Sequence, residues 1–309
     1  MQPFAAKQGP GLFPDNAMNL SKLVKPYRVD KGENFRLEDV DPGDTQGLDI
    51  DARKAKASLE IDIQRLSQLQ EMLYAENRWA MLVIFQGMDA AGKDSAIKHV
   101  MSGVNPQGCE VVSFKRPSIE ELDHDFMWRC LRRLPERGRI GIFNRSYYED
   151  TVVVRVHPEL LEAQQLPDGL TSKGIWEQRF EDINAIERYL TRNGVVICKF
   201  FLHLSKQEQK KRFMARLDDP NKNWKLSPTD VAERQHWKEY MWAYEEMIRA
   251  TATPEAPWHV VPADHKWFTR LVVASCIANK MESLDLAYPK VAPDMRKKLK
   301  ADRRALENE

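Results

Sequence analysis

Met81-Leu82-Val83-Ile84-Phe85-Gln86-Gly87-Met88-Asp89-Ala90-Ala91-Gly92-Lys93-Asp94-Ser95 is the segment on which every other assignment in this chain depends. The unbroken apolar run at its start predicts a strand buried on both faces. Gly87 and Gly92 then frame a loop, and Ser95-Ala96-Ile97-Lys98-His99-Val100 continues as a helix. Glycines let the backbone approach an anion closely, successive N–H groups and the helix N-terminus point at it, and Lys93 adds a point charge. The turn therefore reads as a phosphate cradle. The phosphate-loop pattern asks for Gly, four residues, Gly-Lys, then Ser or Thr. Every position is met except the last, which holds Asp94. A Gly-rich strand-to-helix turn can also be a plain connection; the Gly-Lys pair in register behind a buried strand favours the cradle.

Upstream, Ala55, Leu59, Ile63, Leu66, Leu69 and Leu73 recur at helical spacing and predict a long amphipathic helix from Asp49 to Glu76. Residues 1–47 are rich in Pro, Gly, Asp and Asn and read as an irregular arm, laid over the domain or a neighbouring subunit, or disordered. Downstream, Asn105-Pro106-Gln107-Gly108 is a turn, and Cys109 to Phe114 a second strand ending in Lys115-Arg116-Pro117. These two cations stand at a strand's carboxyl end, where open α/β sheets bind ligands; surface decoration would explain them as well. A helix from Ile119 to Leu134 leads to a third strand, Arg139 to Phe143, which runs into Asn144-Arg145-Ser146-Tyr147-Tyr148-Glu149-Asp150. A helix from Ile175 to Leu190 ends at Asn193-Gly194 before the fourth strand, Val195 to His203. Ser205 can cap the next helix, which carries Lys206, Lys210, Lys211, Arg212 and Arg216. A polar loop, a helix from Pro228 to Ala250, a fifth strand from Trp258 to Pro262 and a helix from Trp267 to Met281 close the domain. Residues 288–309 form a charged tail in which Met295 to Glu309 alternates charges like a solvated helix, and no internal repeat is visible.

Length and composition set the outer limits: 309 residues with 42% apolar and 30% charged side chains suit one large α/β domain or one domain with an appendage. With 47 Lys and Arg against 46 Asp and Glu, the net charge is +1, so a polyanion must be met by a local cationic patch. No nucleic-acid partner is expected. The four cysteines, Cys109, Cys130, Cys198 and Cys276, show no metal-ligand or redox spacing and read as reduced thiols. No apolar segment approaches the roughly 20 residues that a membrane span needs, and the N-terminus lacks a secretory pattern. A soluble cytoplasmic protein without a membrane partner is expected.

Strand and helix alternate about five times, which argues for a parallel sheet covered on both faces. Here the motifs resemble the polyphosphate kinase 2 family, whose members look like thymidylate kinases. They are Gly87 to Asp94, Ile142-Phe143-Asn144-Arg145-Ser146-Tyr147-Tyr148-Glu149, Val154-Arg155-Val156-His157-Pro158, Lys199-Phe200-Phe201-Leu202-His203-Leu204-Ser205-Lys206 and Ala263-Asp264-His265-Lys266-Trp267. The similarity covers residues 48–287 and implies a three-layer phosphate-loop kinase fold with a five-stranded parallel sheet and a helical lid at about 205–227. It also implies reversible transfer between inorganic polyphosphate and AMP, ADP and guanine nucleotides, ATP being a product, with Mg2+ or alternatively Mn2+. A homo-oligomer, tetramer or dimer, goes with it. The family's third-strand motif often reads Phe-Asp-Arg; Asn144 in place of the aspartate, together with Glu149, resembles the subgroup that accepts both mono- and diphosphates. The rivals are an ATP-dependent nucleoside monophosphate kinase and a catalytically impaired nucleotide-binding module.

Phosphoryl transfer asks for cations, a metal and positioning. Lys93 and the amides of Ala90, Ala91, Gly92 and Asp94, with Gly87 and Ser95 framing them, would hold a phosphate. Asp89 is the first choice for the metal; Asp94 either binds it too or complements the helix dipole. Asn144 cannot supply a carboxylate, so metal binding leans on Asp89 and Glu149. Arg145 would bridge donor and acceptor phosphates, or else pair with Glu149 or Asp150; Arg155 and Arg179 are weaker candidates of the same kind. Lys206 with Lys210, and Arg212 with Arg216, share helical faces and would track polyphosphate with Lys115 and Arg116, unless the lid is a solvated face.

Overall fold

The computed structural model describes residues 20–48, 52–167, 169–171 and 174–309; residues 1–19 of the arm and the start of the helix expected from Asp49 lie outside them. Among the described residues the strands Arg28–Val29 (β1), Ala80–Gln86 (β2), Cys109–Ser113 (β3), Ile140–Asn144 (β4), Val195–His203 (β5) and Trp258–Pro262 (β6) form one sheet in the order β1-β6-β5-β2-β4-β3. β2 to β6 are the expected five parallel strands. β2, β4 and β6 are buried along their whole length, which explains why their sequences do not alternate. β3 is the outer edge and is mostly exposed.

Two hydrophobic cores flank the sheet. On one face Met81, Val83 and Phe85 pack with Leu66 and Leu73 of helix Ala52–Glu76, Val100 of helix Lys93–Val100, and Leu271 and Ile277 of helix Lys266–Glu282. On the other, Leu82, Ile84 and Phe143 meet Val152 of helix Glu149–Val156, Ile183 of helix Ile175–Arg192 and Met247 of helix Trp237–Thr251. Alternate residues of one strand thus feed both cores, and the result is a three-layer α/β/α fold.

The sixth strand comes from the arm. Residues 20–48 hold helix Leu20–Val24, the antiparallel β1 on β6, and buried Leu23, Tyr27 and Leu37. The sparse periodicity there reflects burial of single side chains rather than of a face. Two expected helices are broken. Between Ile119 and Leu134 there are two short helices, Ile119–Leu122 and Trp128–Leu131, because the Met127 amide donates to Asp125 Oδ1 at 2.9 Å and the side chain replaces the helical acceptor. The stretch from Pro228 to Ala250 divides into Pro228–Glu233 and Trp237–Thr251 around a tight turn at Arg234–His236. The tail does form a helix, Pro293–Glu307, with none of its residues buried. No described helix is long and apolar enough to cross a membrane.

Register sets the site. Phe85 pairs with both Asn144 and Phe200, and His203 pairs with Pro262, so the loops after β2, β4, β5 and β6 leave the sheet at one edge.

Candidate active site

The loop after β2 is built to leave its backbone open. Gly87 has φ 146° and sits so close to β5 that a Cβ there would lie 2.9 Å from the Leu202 carbonyl oxygen. Gly92 begins helix Lys93–Val100 in the left-handed region at φ 108°, with no side chain capping the helix. The N–H groups of the first turn are left for an anion. Lys93, 8% exposed, donates to the carbonyls of Gly87 at 2.6 Å and Met88 at 3.2 Å. Burial, reinforced by the nearby Arg145 cation, pulls its ammonium pKa down to about 8.

At the end of β4, Asn144 donates its amide to Asp94 Oδ1. Asp94 lies in the first helical turn without capping it, so its carboxylate is tied to β4. Arg145 adopts a left-handed conformation, φ 65°, as does Ala90 at φ 62° in the facing loop. Two non-glycine residues in that region thus lie on the two loops that the Arg145–Asp89 pair joins, and strain of this kind is commonly kept at functional sites. The Arg145 guanidinium donates to Asp89 Oδ1 at 2.7 Å and to Glu149 Oε2 at 3.4 Å. Glu149 above all holds its pKa above the ordinary value. Lys93, Arg145, Asp89, Asp94, Asn144 and Glu149 therefore converge, and the two terminal nitrogens of Arg145 each hold one oxygen of a different carboxylate, a fork that could take two phosphate oxygens instead.

Helix Lys206–Leu217, capped by Ser205 accepting from the Glu208 amide at 3.0 Å, sits directly on this loop. Gln209 donates to the Asp89 carbonyl at 2.9 Å. Arg212 spends all five N–H donors: Nε on Glu208 at 3.0 Å, one terminal nitrogen on the carbonyls of Ala90 at 2.9 Å and Ala91 at 3.1 Å, the other on those of Ala263 at 2.6 Å and Asp264 at 3.0 Å. It is a strut that ties the helix to the loop and to the end of β6. Lys206 and Lys210 stand exposed on the same helix, and Arg216 donates to the Lys225 carbonyl at 3.1 Å.

Lys115 and Arg116 are exposed beyond β3. Arg155 stacks over Trp242, 4.0 Å from the ring centroid. Arg179, buried, donates to the Asp150 carbonyl at 2.8 Å and to Gln164. The structure does not bring these two arginines into the cluster around Lys93. It adds residues the sequence did not single out. The Tyr240 and Tyr244 hydroxyls lie in the field of Arg145 and Glu149, and burial keeps both protonated. Arg270 donates to Ser95 Oγ at 2.8 Å, and with Lys266 it lines a small cleft behind Gly92. Lys266 stands in a quoted motif, which is a signal; Arg270 follows it by four residues on the same helical face.

A parallel sheet with an uncapped Gly-Lys loop, a converging arginine and an overlying cationic helix defines a phosphate-loop phosphotransferase. Residues 49–288 match the family model described as Polyphosphate kinase 2, and the chain belongs to that family. It is 55% identical over 281 residues to the ADP-polyphosphate phosphotransferase of Rhodopseudomonas palustris, covering 89% of this chain and 96% of that protein. It is 41% identical over 266 residues to the AMP/ADP-polyphosphate phosphotransferase of Meiothermus ruber, covering 86% and 96%. The crystal structure of Polyphosphate Kinase 2 from Arthrobacter aurescens TC1 superposes with a TM-score of 0.81 at 39% identity, over 93% of this chain and 98% of that one.

Proposed function

We propose that this protein moves a phosphoryl group reversibly between inorganic polyphosphate and nucleotides, with ADP and AMP as acceptors and the guanine nucleotides after them. The convergence of Lys93 and Arg145 on the open loop carries this reading, since it offers two cations to a bridging phosphate and no base-reading groups are needed for a repeating donor. Both similar phosphotransferases carry ADP in their names, and one of them AMP as well. Lys93 would exchange the loop carbonyls for phosphate oxygens, and Arg145 would exchange Asp89 for the transferring group. That exchange frees the Asp89 carboxylate at the moment a phosphate arrives. Lys206 and Lys210, exposed on the helix above, would meet the rest of the polyphosphate chain.

The described residues hold no cluster of three or more metal-ligating side chains. Magnesium keeps its waters and binds through one or two carboxylates plus substrate phosphates. Asp89, once released by Arg145, would hold it; Asp94, held by Asn144, would act through water. When bound, the ion neutralises charge developing on the phosphoryl oxygens. The free thiols among the described residues fit a reducing, cytoplasmic setting. Exposed Ile61, Tyr74 and Val111, on the long helix and on β3, fit burial between copies in a dimer or tetramer.

The test is a matrix of donors and acceptors with magnesium. ATP formed from ADP and polyphosphate supports the proposal, with AMP converted under the same conditions. Turnover only with ATP and a monophosphate would make it a nucleoside monophosphate kinase. No turnover, with nucleotide binding abolished by Lys93→Ala, would leave a binding module.

A further inference from the structure

A fully buried polar cluster is built on the two tyrosines that lie between Arg145 and Glu149. Lys199, in the middle of the otherwise apolar β5, is 0% exposed and uses all three of its protons. They go to Glu187 Oε2 at 2.6 Å, to the Tyr148 hydroxyl at 2.9 Å and to the Thr251 carbonyl at 2.8 Å. Glu187 Oε1 in turn accepts from the hydroxyls of Tyr147 at 2.9 Å and Tyr148 at 2.7 Å. Thr251 Oγ1 accepts from Trp258 Nε1 at 2.9 Å. Every bond in the cluster is matched, and burial together with Glu187 keeps both tyrosines in the protonated, donating form.

A buried ion pair is a costly way to fill space, because taking two charges out of water offsets most of their attraction. What it does supply is fixed direction. Tyr147 and Tyr148 follow Arg145, whose left-handed backbone persists only where its surroundings over-determine it. Thr251 ends the helix that carries Tyr240 and Tyr244, whose hydroxyls lie within the field of Arg145. Glu187 on helix Ile175–Arg192 thus holds both tyrosines of the segment between Arg145 and Glu149, and Lys199 joins it to the end of helix Trp237–Thr251.

We propose that Glu187, neutralised by Lys199, is a positioning residue for phosphoryl transfer: through Tyr147 and Tyr148 it fixes the backbone that aims Arg145 and Glu149 at the reacting phosphates. This rests on the proposed function, so the test has one arm that needs turnover and one that does not. In the first, Tyr148→Phe and Glu187→Gln are made in the full chain, alone and combined with Arg145→Ala. With polyphosphate and ADP, each single variant should lower kcat about 10-fold while the KM for ADP stays within about twofold, since misplacement rather than lost contact is the cause. In the Arg145→Ala background the same changes should have little further effect. Equal effects in both backgrounds, or an unchanged kcat, would overturn the proposal. In the second arm, amide hydrogen exchange over residues 145–149 should quicken about 10-fold in Tyr148→Phe while β2 and β6 keep their protection. Unchanged exchange there would overturn it whatever the enzyme's activity. If Glu187→Gln does not fold, Tyr147→Phe takes its place in both arms. A wild-type protein inactive with polyphosphate would count against the functional reading alone.

Discussion

Lys93 is the residue whose chemistry most directly limits the site. Burial and Arg145 place its pKa near 8, below the ordinary 10.5, so the free protein loses this cation as pH rises through about 8. kcat/KM should therefore fall on an alkaline limb near pH 8. A bound phosphate anion favours the charged form, so the limb in kcat should lie higher; the two pH profiles, measured side by side, check this. Asn144 makes a different prediction. Asn144→Asp would set a second carboxylate against Asp94, where now an amide donates. Like charges at that distance should lower the ligand-free Tm by a few degrees, and magnesium should restore it more than it raises the wild-type Tm, as read by thermal unfolding with and without the ion. The motif positions were legible in the sequence because the chemistry requires them in order. The partner of each was not: nothing in the spacing says that Asn144 reaches Asp94, 50 residues earlier.

Among the helices, Lys206–Leu217 shows how one run of cations is divided by packing. Arg212 and Lys210 are neighbours in a pattern that looks uniform, yet Arg212 is buried against the loop and Lys210 is exposed. Arg212→Ala should leave four loop and strand-end carbonyls without a donor, lowering Tm by several degrees and kcat with every donor, with little dependence on salt. Lys210→Ala should leave Tm alone and raise the KM for polyphosphate at low salt more than at high salt. Kinetics at two ionic strengths separate the two. The pairing of helices Ala52–Glu76 and Lys266–Glu282 makes a second test. Asp62, 0% exposed, accepts from Ser275 at 2.8 Å, and burial raises its pKa from 3.8 to about 6. The folded state thus holds this proton more tightly than the unfolded one. Its contribution is complete below about pH 4 and is lost as pH rises through about 6. Asp62→Asn should therefore stabilise the protein at pH 7.5 by about 2 kcal/mol and bring little gain at pH 4, measured by denaturant unfolding at both values.

For the molecule as a whole, residues 20–48 belong to the core. Tyr27, 4% exposed, lies edge-on to Phe268 with ring centroids 5.9 Å apart and donates to Asp44 Oδ2 at 2.6 Å. Further along, the Asp264 amide donates to the Pro42 carbonyl at 3.0 Å, and Asp264 Oδ1 accepts from the Ser205 amide at 2.8 Å. The arm is connected in two steps to the cap of the cationic helix. Tyr27→Ala should cost about 3–4 kcal/mol of stability, visible as a lowered Tm, with the KM for nucleotide unchanged.

The sequence by itself determined the parallel sheet, the place of the phosphate loop and the family, because those depend on local order: apolar runs long enough to be buried twice, glycines at fixed offsets, a lysine behind the second of them. Only the tertiary structure decided what each charge does. Whether a cation meets solvent, a carbonyl or a carboxylate depends on which chain segments the sheet brings to one edge, and Arg212, Arg179 and Lys199 carry a charge like that of Lys210 with none of its freedom. Desolvation separates them, and desolvation is a property of the folded surroundings rather than of the residue.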